Sequence, residues 1–155
     1  MNYRRLFVSN SIVFITFVTC KRQNFLIDNI NLLRLSFQIT KEKYKFKIIA
    51  ICILKNHIHA LIKPENINQY PYIIKSIKTK FSKRFDINNI KNYNETESRK
   101  NKNEKSIWQR RYFEHTIKNE EELLRHIDYI LFNPTKHYNI APKIGNIQLF
   151  SNLLN

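Results

Sequence analysis

Glycine is almost missing from this chain: one residue, Gly145, in 155. That excludes a glycine-rich phosphate loop, and with it nucleotide sites of the Walker or dinucleotide type. Cysteine is scarce. Cys20 and Cys52 form no C-x-x-C pair, so neither a disulfide framework nor a zinc ribbon is supported. No apolar run reaches the ~20 residues of a membrane helix. Acidic residues are short as well: 12 Asp plus Glu face 27 Lys plus Arg, a formal +15. Such an excess favours a polyanionic partner, most simply nucleic acid, with an anionic membrane surface as the competitor. The abundance of Asn, Lys and Ile is itself a compositional bias that raises the charge, so charge alone does not decide.

What is there suits a globular chain. Apolar residues make up 43%, and the length predicts one domain over residues 1–155. A basic "MNYRR" followed by an apolar run imitates a signal peptide. Asn10 and Ser11 interrupt that run, and the β-branched "VFITFVT" suits a strand, so residues 12–19 are expected as the first strand and the protein as cytoplasmic. A helix over 28–42 with Asp28 as N-cap follows, then a strand over 44–55. A tight turn at Lys55-Asn56 leads into a second, antiparallel strand. Residues 72–84 carry a helical apolar stripe of Ile73, Ile74, Ile77 and Phe81. The Asn- and Lys-rich stretch 87–106 is expected as a mobile loop. A last helix starts at the N-cap Asn119, with Glu120, Glu121 and Glu122 in its positive first turn, and is expected to stop at Asn133 before Pro134. Residues 138–155 remain as a C-terminal tail. This order predicts an α+β fold, an antiparallel sheet with helices packed on one face.

The stretch "NHIHALI" carries the first chemical signal. Residues two apart on a strand share a face, so His57 and His59 point together. Two imidazoles on one face are half of a divalent metal site; the bland alternative is two surface histidines. On the last helix, Leu123, Ile127, Ile130 and Leu131 define the apolar stripe. Tyr129 turns away from it, and Asn133 lies one turn further on the same side. Each residue alone has an ordinary reading, as a boundary tyrosine and a helix-end asparagine.

Together with "NYRR", "FITFVTCKR", "IKTKFSKR", "IWQRRYFEHTI" and "HIDYILFNPTKH", these residues resemble the REP-associated tyrosine transposases, a group of single-tyrosine HUH endonucleases in the IS200-like superfamily. The ordered set spans nearly the whole chain. The resemblance implies a ferredoxin-like sheet with the HUH motif on a central strand and the tyrosine on a C-terminal helix. It implies a DNA transposase that cuts and rejoins single-stranded DNA beside hairpins through a covalent 5′-phosphotyrosine. Tyr129 matches the nucleophile. His57 and His59 match the metal ligands, and Asn133 the polar residue that completes the site. Mg²⁺ or Mn²⁺ is the implied ion, hairpin-bearing (REP-like) single-stranded DNA the partner, and a monomer or dimer the assembly, with no membrane.

Other residues bear on DNA. Arg4, Arg5, Lys75, Lys78, Lys83, Arg84, Arg110 and Arg111 are candidate phosphate contacts. Trp108, Tyr112 and Phe113 are candidate stacking platforms for unpaired bases, against the alternative that Trp108 and Phe113 are core. Glu114 and His115 form a candidate buried polar pair. The chain departs from the family pattern at Asn10-Ser11, where glycines are usual, and at Lys55, where proline is usual. A copy with lost catalysis, kept as a basic DNA- or RNA-binding protein, is the competing reading. A tyrosine placed far from the histidines favours that alternative.

Overall fold

The computed structural model describes residues 7–138, with side chains to residue 133. Four strands form one antiparallel sheet: β1 (Val13–Val18), β2 (Phe46–Ile53), β3 (His57–Pro64) and β4 (Phe113–Thr116). Their order across the sheet is β2-β3-β1-β4. Helix α1 (Ile30–Lys43) connects β1 to β2, and α2 (Tyr70–Arg84) leads away from β3. This is the split βαβ arrangement of the ferredoxin-like fold, as the sequence led us to expect. β3 and β1 are the central strands, which puts His57 and His59 in the middle of the sheet.

Strand alternation sorts the core into two layers. Val13, Ile15, Phe17, Ile58 and Ile62 face α1 and α2, where Leu33, Phe37, Ile73, Ile74, Ile77 and Phe81 close the main core. Small polar residues let those helices approach. Buried Ser36 and Thr40 donate to the Leu32 and Ser36 carbonyls, and Thr40 also meets the Ser76 hydroxyl at 2.9 Å. On the other face Phe14, Ala50, Cys52, Leu54 and Leu61 pack against Ile130 of α4 (Glu120–Tyr138). The first two long helices thus share one face as expected, while the third crosses the opposite one. A register shift between Ile48 and Ala50 explains why β2 alternates first and then reads as continuously apolar.

Several boundaries differ from expectation. α4 runs through Pro134 to Tyr138; a proline removes one helical hydrogen bond and disfavours helix at the residue before it without forbidding either. Asn29, not Asp28, precedes α1, and its amide donates to the Phe25 carbonyl. Asn119 does cap α4, accepting from the Glu122 N–H at 2.8 Å. The 87–106 stretch, expected as a loop, contains the short helix α3 (Glu97–Lys100). It is held by Arg99, whose buried guanidinium donates to the Lys105 and Trp108 carbonyls at 2.9 Å each and pairs with Glu104. With so little glycine, asparagine takes three of the five left-handed positions among the described residues: Asn10, Asn92 and Asn103 have φ of 61°, 54° and 50°, and Lys21 and Arg22 take the other two. Arg4, Arg5 and the tail beyond residue 138 lie outside the described residues.

Candidate active site

Two histidine rings project from β3 onto the α4 face, their centroids 4.9 Å apart. Each has its Nδ1 engaged. His57 Nδ1 meets the Asn56 side-chain oxygen at 2.6 Å. Asn56 turns its amide nitrogen towards the Arg22 carbonyl and the Asn24 oxygen, which fixes which end faces His57. An amide oxygen only accepts, so His57 Nδ1 carries the proton and the lone pair sits on Nε2. His59 Nδ1 lies 2.7 Å from the Thr16 hydroxyl on the neighbouring strand. Such partners orient metal-binding imidazoles. Asn56 and Thr16 escaped the sequence reading; the available signal was that Asn56 directly precedes the first histidine in the turn. Thr16 needed the β1–β3 register, which pairs it with His59.

Helix α4 lays one polar edge across this face. Glu122, His126, Tyr129 and Asn133 fall on one side at 100° per residue. Glu122 accepts from the Lys118 N–H and from His115 Nε2 of β4, each at 2.6 Å, and these bonds hold its carboxyl below the ordinary range. The His126 ring packs on Phe14 at 4.7 Å, and the Tyr129 ring meets His59 edge-on at 5.1 Å. Asn133 is 1% exposed, and its side-chain oxygen has no hydrogen-bond partner among the described residues. Tyr129, by contrast, is 42% exposed. The structure therefore brings Tyr129 against His59, with buried Asn133 one turn on. Glu114 and His115 do not pair: successive strand residues face opposite layers, and His115 goes to Glu122 instead.

The donor set fits a divalent ion. Two histidine Nε2 atoms, the His57 tautomer fixed by Asn56, and one orphaned buried amide oxygen are the ligand types such an ion takes, and a buried oxygen without a partner is costly otherwise. Among the described residues no cluster of three or more His, Cys, Asp and Glu side chains forms a metal site, so an amide would have to complete this one. Cys52 lies beside His59 across the β2–β3 pair, but burial pushes its thiol up to about 12, which keeps it out of thiolate chemistry.

The candidate DNA contacts lie mostly elsewhere. Lys75, Lys78, Lys83 and Arg110 line a cleft of about 1030 Å³ between α2 and residues 102–112, and Lys102 and Lys105, unnoticed in the sequence, join them. This cleft is on the α2 side of the sheet, away from Tyr129. Lys78 is largely a strut: it donates to the Gln109 carbonyl at 2.7 Å, and burial lowers it to about 8. Arg110 directs its guanidinium at Glu104 and Ser98. Arg84 and Arg111 are exposed. Trp108 is not a stacking platform. It is 4% exposed and packs on Phe17 and Phe81 at 5.3 Å each, because residues 107–109 run along the end of β1 with the Ile107 and Trp108 side chains in the main core. Within residues 107–117 Phe113 is the aromatic left in solvent, 58% exposed.

Comparison with known proteins agrees with this geometry. The family described as "Transposase IS200 like" matches residues 7–132. A Haemophilus influenzae protein provisionally named REP-associated tyrosine transposase is 40% identical over 138 residues, covering 88% of this chain and 77% of its own. The REP-associated tyrosine transposase of Escherichia coli is 28% identical over 137 residues, covering 87% and 73%. A solved structure of a REP-associated tyrosine transposase bound to a REP hairpin superposes with a TM-score of 0.71 at 27% identity, covering 90% of this chain and 76% of that one. No helix among the described residues is long and apolar enough to cross a membrane. A tyrosine set against paired histidines on a ferredoxin-like sheet, matched over nearly its full length, thus places this chain in the IS200-like transposase family, among the REP-associated tyrosine transposases.

Proposed function

We propose that this protein cleaves and rejoins single-stranded DNA next to a hairpin, with Tyr129 as nucleophile. The observation that carries the reading is the contact of the Tyr129 ring with His59 at 5.1 Å. A tyrosine remote from the histidines would have favoured a binding protein without catalysis; this one is adjacent and open to solvent. A rigid helix fixes the phenol relative to the strand, as covalent catalysis requires. In the proposed step Tyr129 Oη attacks the phosphorus, an Oη–P bond forms and the P–O3′ bond breaks. The phenol proton leaves, and the departing 3′ oxygen takes one up as a free hydroxyl. The 5′ end stays on the enzyme as a phosphotyrosine, which keeps the strand available for rejoining.

His57, His59 and Asn133 would hold Mg²⁺ or Mn²⁺; when bound, the ion supplies a Lewis acid for a non-bridging phosphate oxygen. Asn56 and Thr16 orient the two imidazoles. Phe14 touches both His59 and Tyr129, at 5.8 and 5.9 Å, and keeps ligand and nucleophile in one geometry. The hairpin in the complex of the related transposase, together with the +15 charge, supports a structured DNA element as the partner. Exposed Lys75, Lys83, Arg84 and Arg111, with Lys102 and Lys105, are its candidate phosphate contacts, together with Arg4 and Arg5 near the N-terminus; DNA affinity should fall steeply as salt rises, and a fluorescence titration across salt concentrations measures the slope.

The test is mass spectrometry of peptides after reaction with a labelled hairpin single strand and Mn²⁺. A phosphonucleotide on the peptide containing Tyr129 is expected. Tyr129→Phe should bind DNA as before and lose cleavage by about 10³-fold or more, since only the hydroxyl is removed. An adduct on another tyrosine, or full cleavage by the Phe variant, would refute the assignment.

A further inference from the structure

Phe113 is left in water beside the candidate active site. On the α4 face one rung of the sheet runs Cys52, His59, Thr16, Phe113, as the strand registers dictate. Strand spacing puts the Phe113 backbone about 10 Å from that of His59, two strands away. Thr16, small and bonded to His59, lies between them. Helix α4 covers the neighbouring positions. Glu122 reaches His115, and Tyr129 reaches His59, yet Phe113 keeps 58% of its surface exposed.

A single exposed phenylalanine is ordinary. This one is held in place. Its backbone is in β4, and its ring meets Phe14 edge-on at 6.2 Å and 69°. The same Phe14 ring contacts Tyr129 and His59. A platform fixed in this way costs a stacking partner little ordering entropy. Unpaired bases are the partners that such platforms take in proteins that bind single strands. Exposed Arg111, two residues upstream, adds positive charge for a phosphate backbone.

We infer that Phe113 is the stacking platform for one unpaired base flanking the phosphate presented to Tyr129. The inference rests on the proposed single-strand chemistry and adds the residue that seats the substrate. It is tested by moving a single 2-aminopurine through each position of a single-stranded substrate and following its fluorescence on binding. One position, next to the cleaved phosphate, should respond in the unmodified protein. In Phe113→Leu that response should vanish and KM should rise about ten- to a hundredfold with kcat changed far less. Phe113→Trp should restore both. A strand that binds with no responding position overturns the inference; so does a response unchanged in Phe113→Leu. A ring covered by a second copy, or by residues 139–155, gives that same negative result. A Phe113-dependent response without an adduct on Tyr129 keeps the platform and removes the nuclease reading. An adduct without such a response does the reverse.

Discussion

On one face of the sheet Ile15, Phe17, Ile58 and Ile62 meet α1 and α2 and are all but closed to water. On the other, Phe14 and Leu61 share their face with His57, His59 and Thr16, under the single helix α4. The first face gains from apolar burial, roughly 1.5–3 kcal/mol for each large side chain. The second buries less and carries polar groups that must be individually partnered. Asn56, Thr16 and Glu122 supply those partners, while Tyr129 and Phe113 stay open to solvent. Stability and chemistry are thereby divided between the two sides of the same strands: Ile58 serves one, and its neighbours His57 and His59 serve the other.

That division can be broken from either side. Among the candidate metal ligands, the largest effect on activity should come from His57→Ala. Cleavage should fall by about a hundredfold or more, because even residues that merely orient ligands cost 10- to 100-fold. Stability should fall by about 1–3 kcal/mol, because the ring is buried and bonded to Asn56. Calorimetric titration with Mn²⁺ is the direct check, and unchanged affinity would remove His57 from the site. From the other side, Phe81→Ala deletes a fully buried ring that packs on Phe25, Phe85 and Trp108. Urea unfolding should show a loss of about 3–5 kcal/mol, with cleavage per folded molecule unchanged. A loss below about 1 kcal/mol would mean that the α2 face does not dominate stability.

The smallest effect concerns Lys78, where the basic cleft touches the stable face. Burial pulls its ammonium from 10.5 down to about 8. Between those pH values the unfolded chain holds a proton that the folded chain has released, so this residue makes stability rise with pH across that window. Lys78→Met should flatten the rise in Tm from pH 8 to 10.5 relative to the unmodified protein. An identical rise in both would show that Lys78 is not desolvated.

Much of this was legible in the sequence. Period and turn chemistry located β1, α1, β2, β3 and α2 to within about two residues, and Asn119 announced the start of α4, whose end lies five residues beyond the expected stop at Asn133. His57 and His59 stood out by type and spacing before any contact was known, whereas Tyr129 was singled out through the family resemblance. What stayed hidden depended on tertiary partners. Trp108 and Phe113 are both aromatic residues in one basic stretch; only the path of the chain beyond β1 buries the first and exposes the second. Arg99 sits in a polar stretch that resembles a loop, and its clamp on the Trp108 carbonyl has no local signal. The face taken by α4 was equally invisible, since an apolar stripe says that a helix packs and not on which side.

The polar edge of α4 also has a consequence for the gene. Glu122, His126 and Tyr129 meet three different strands in succession, at His115 of β4, Phe14 of β1 and His59 of β3. Each residue advances a helix by about 100° and 1.5 Å. Deleting one codon between Glu122 and Tyr129 therefore swings the tyrosine away from its histidine while Glu122 still holds β4. Point substitutions along that edge remove one contact at a time; a change of length removes the alignment itself. In-frame insertions and deletions within this short interval are the changes that the site tolerates least.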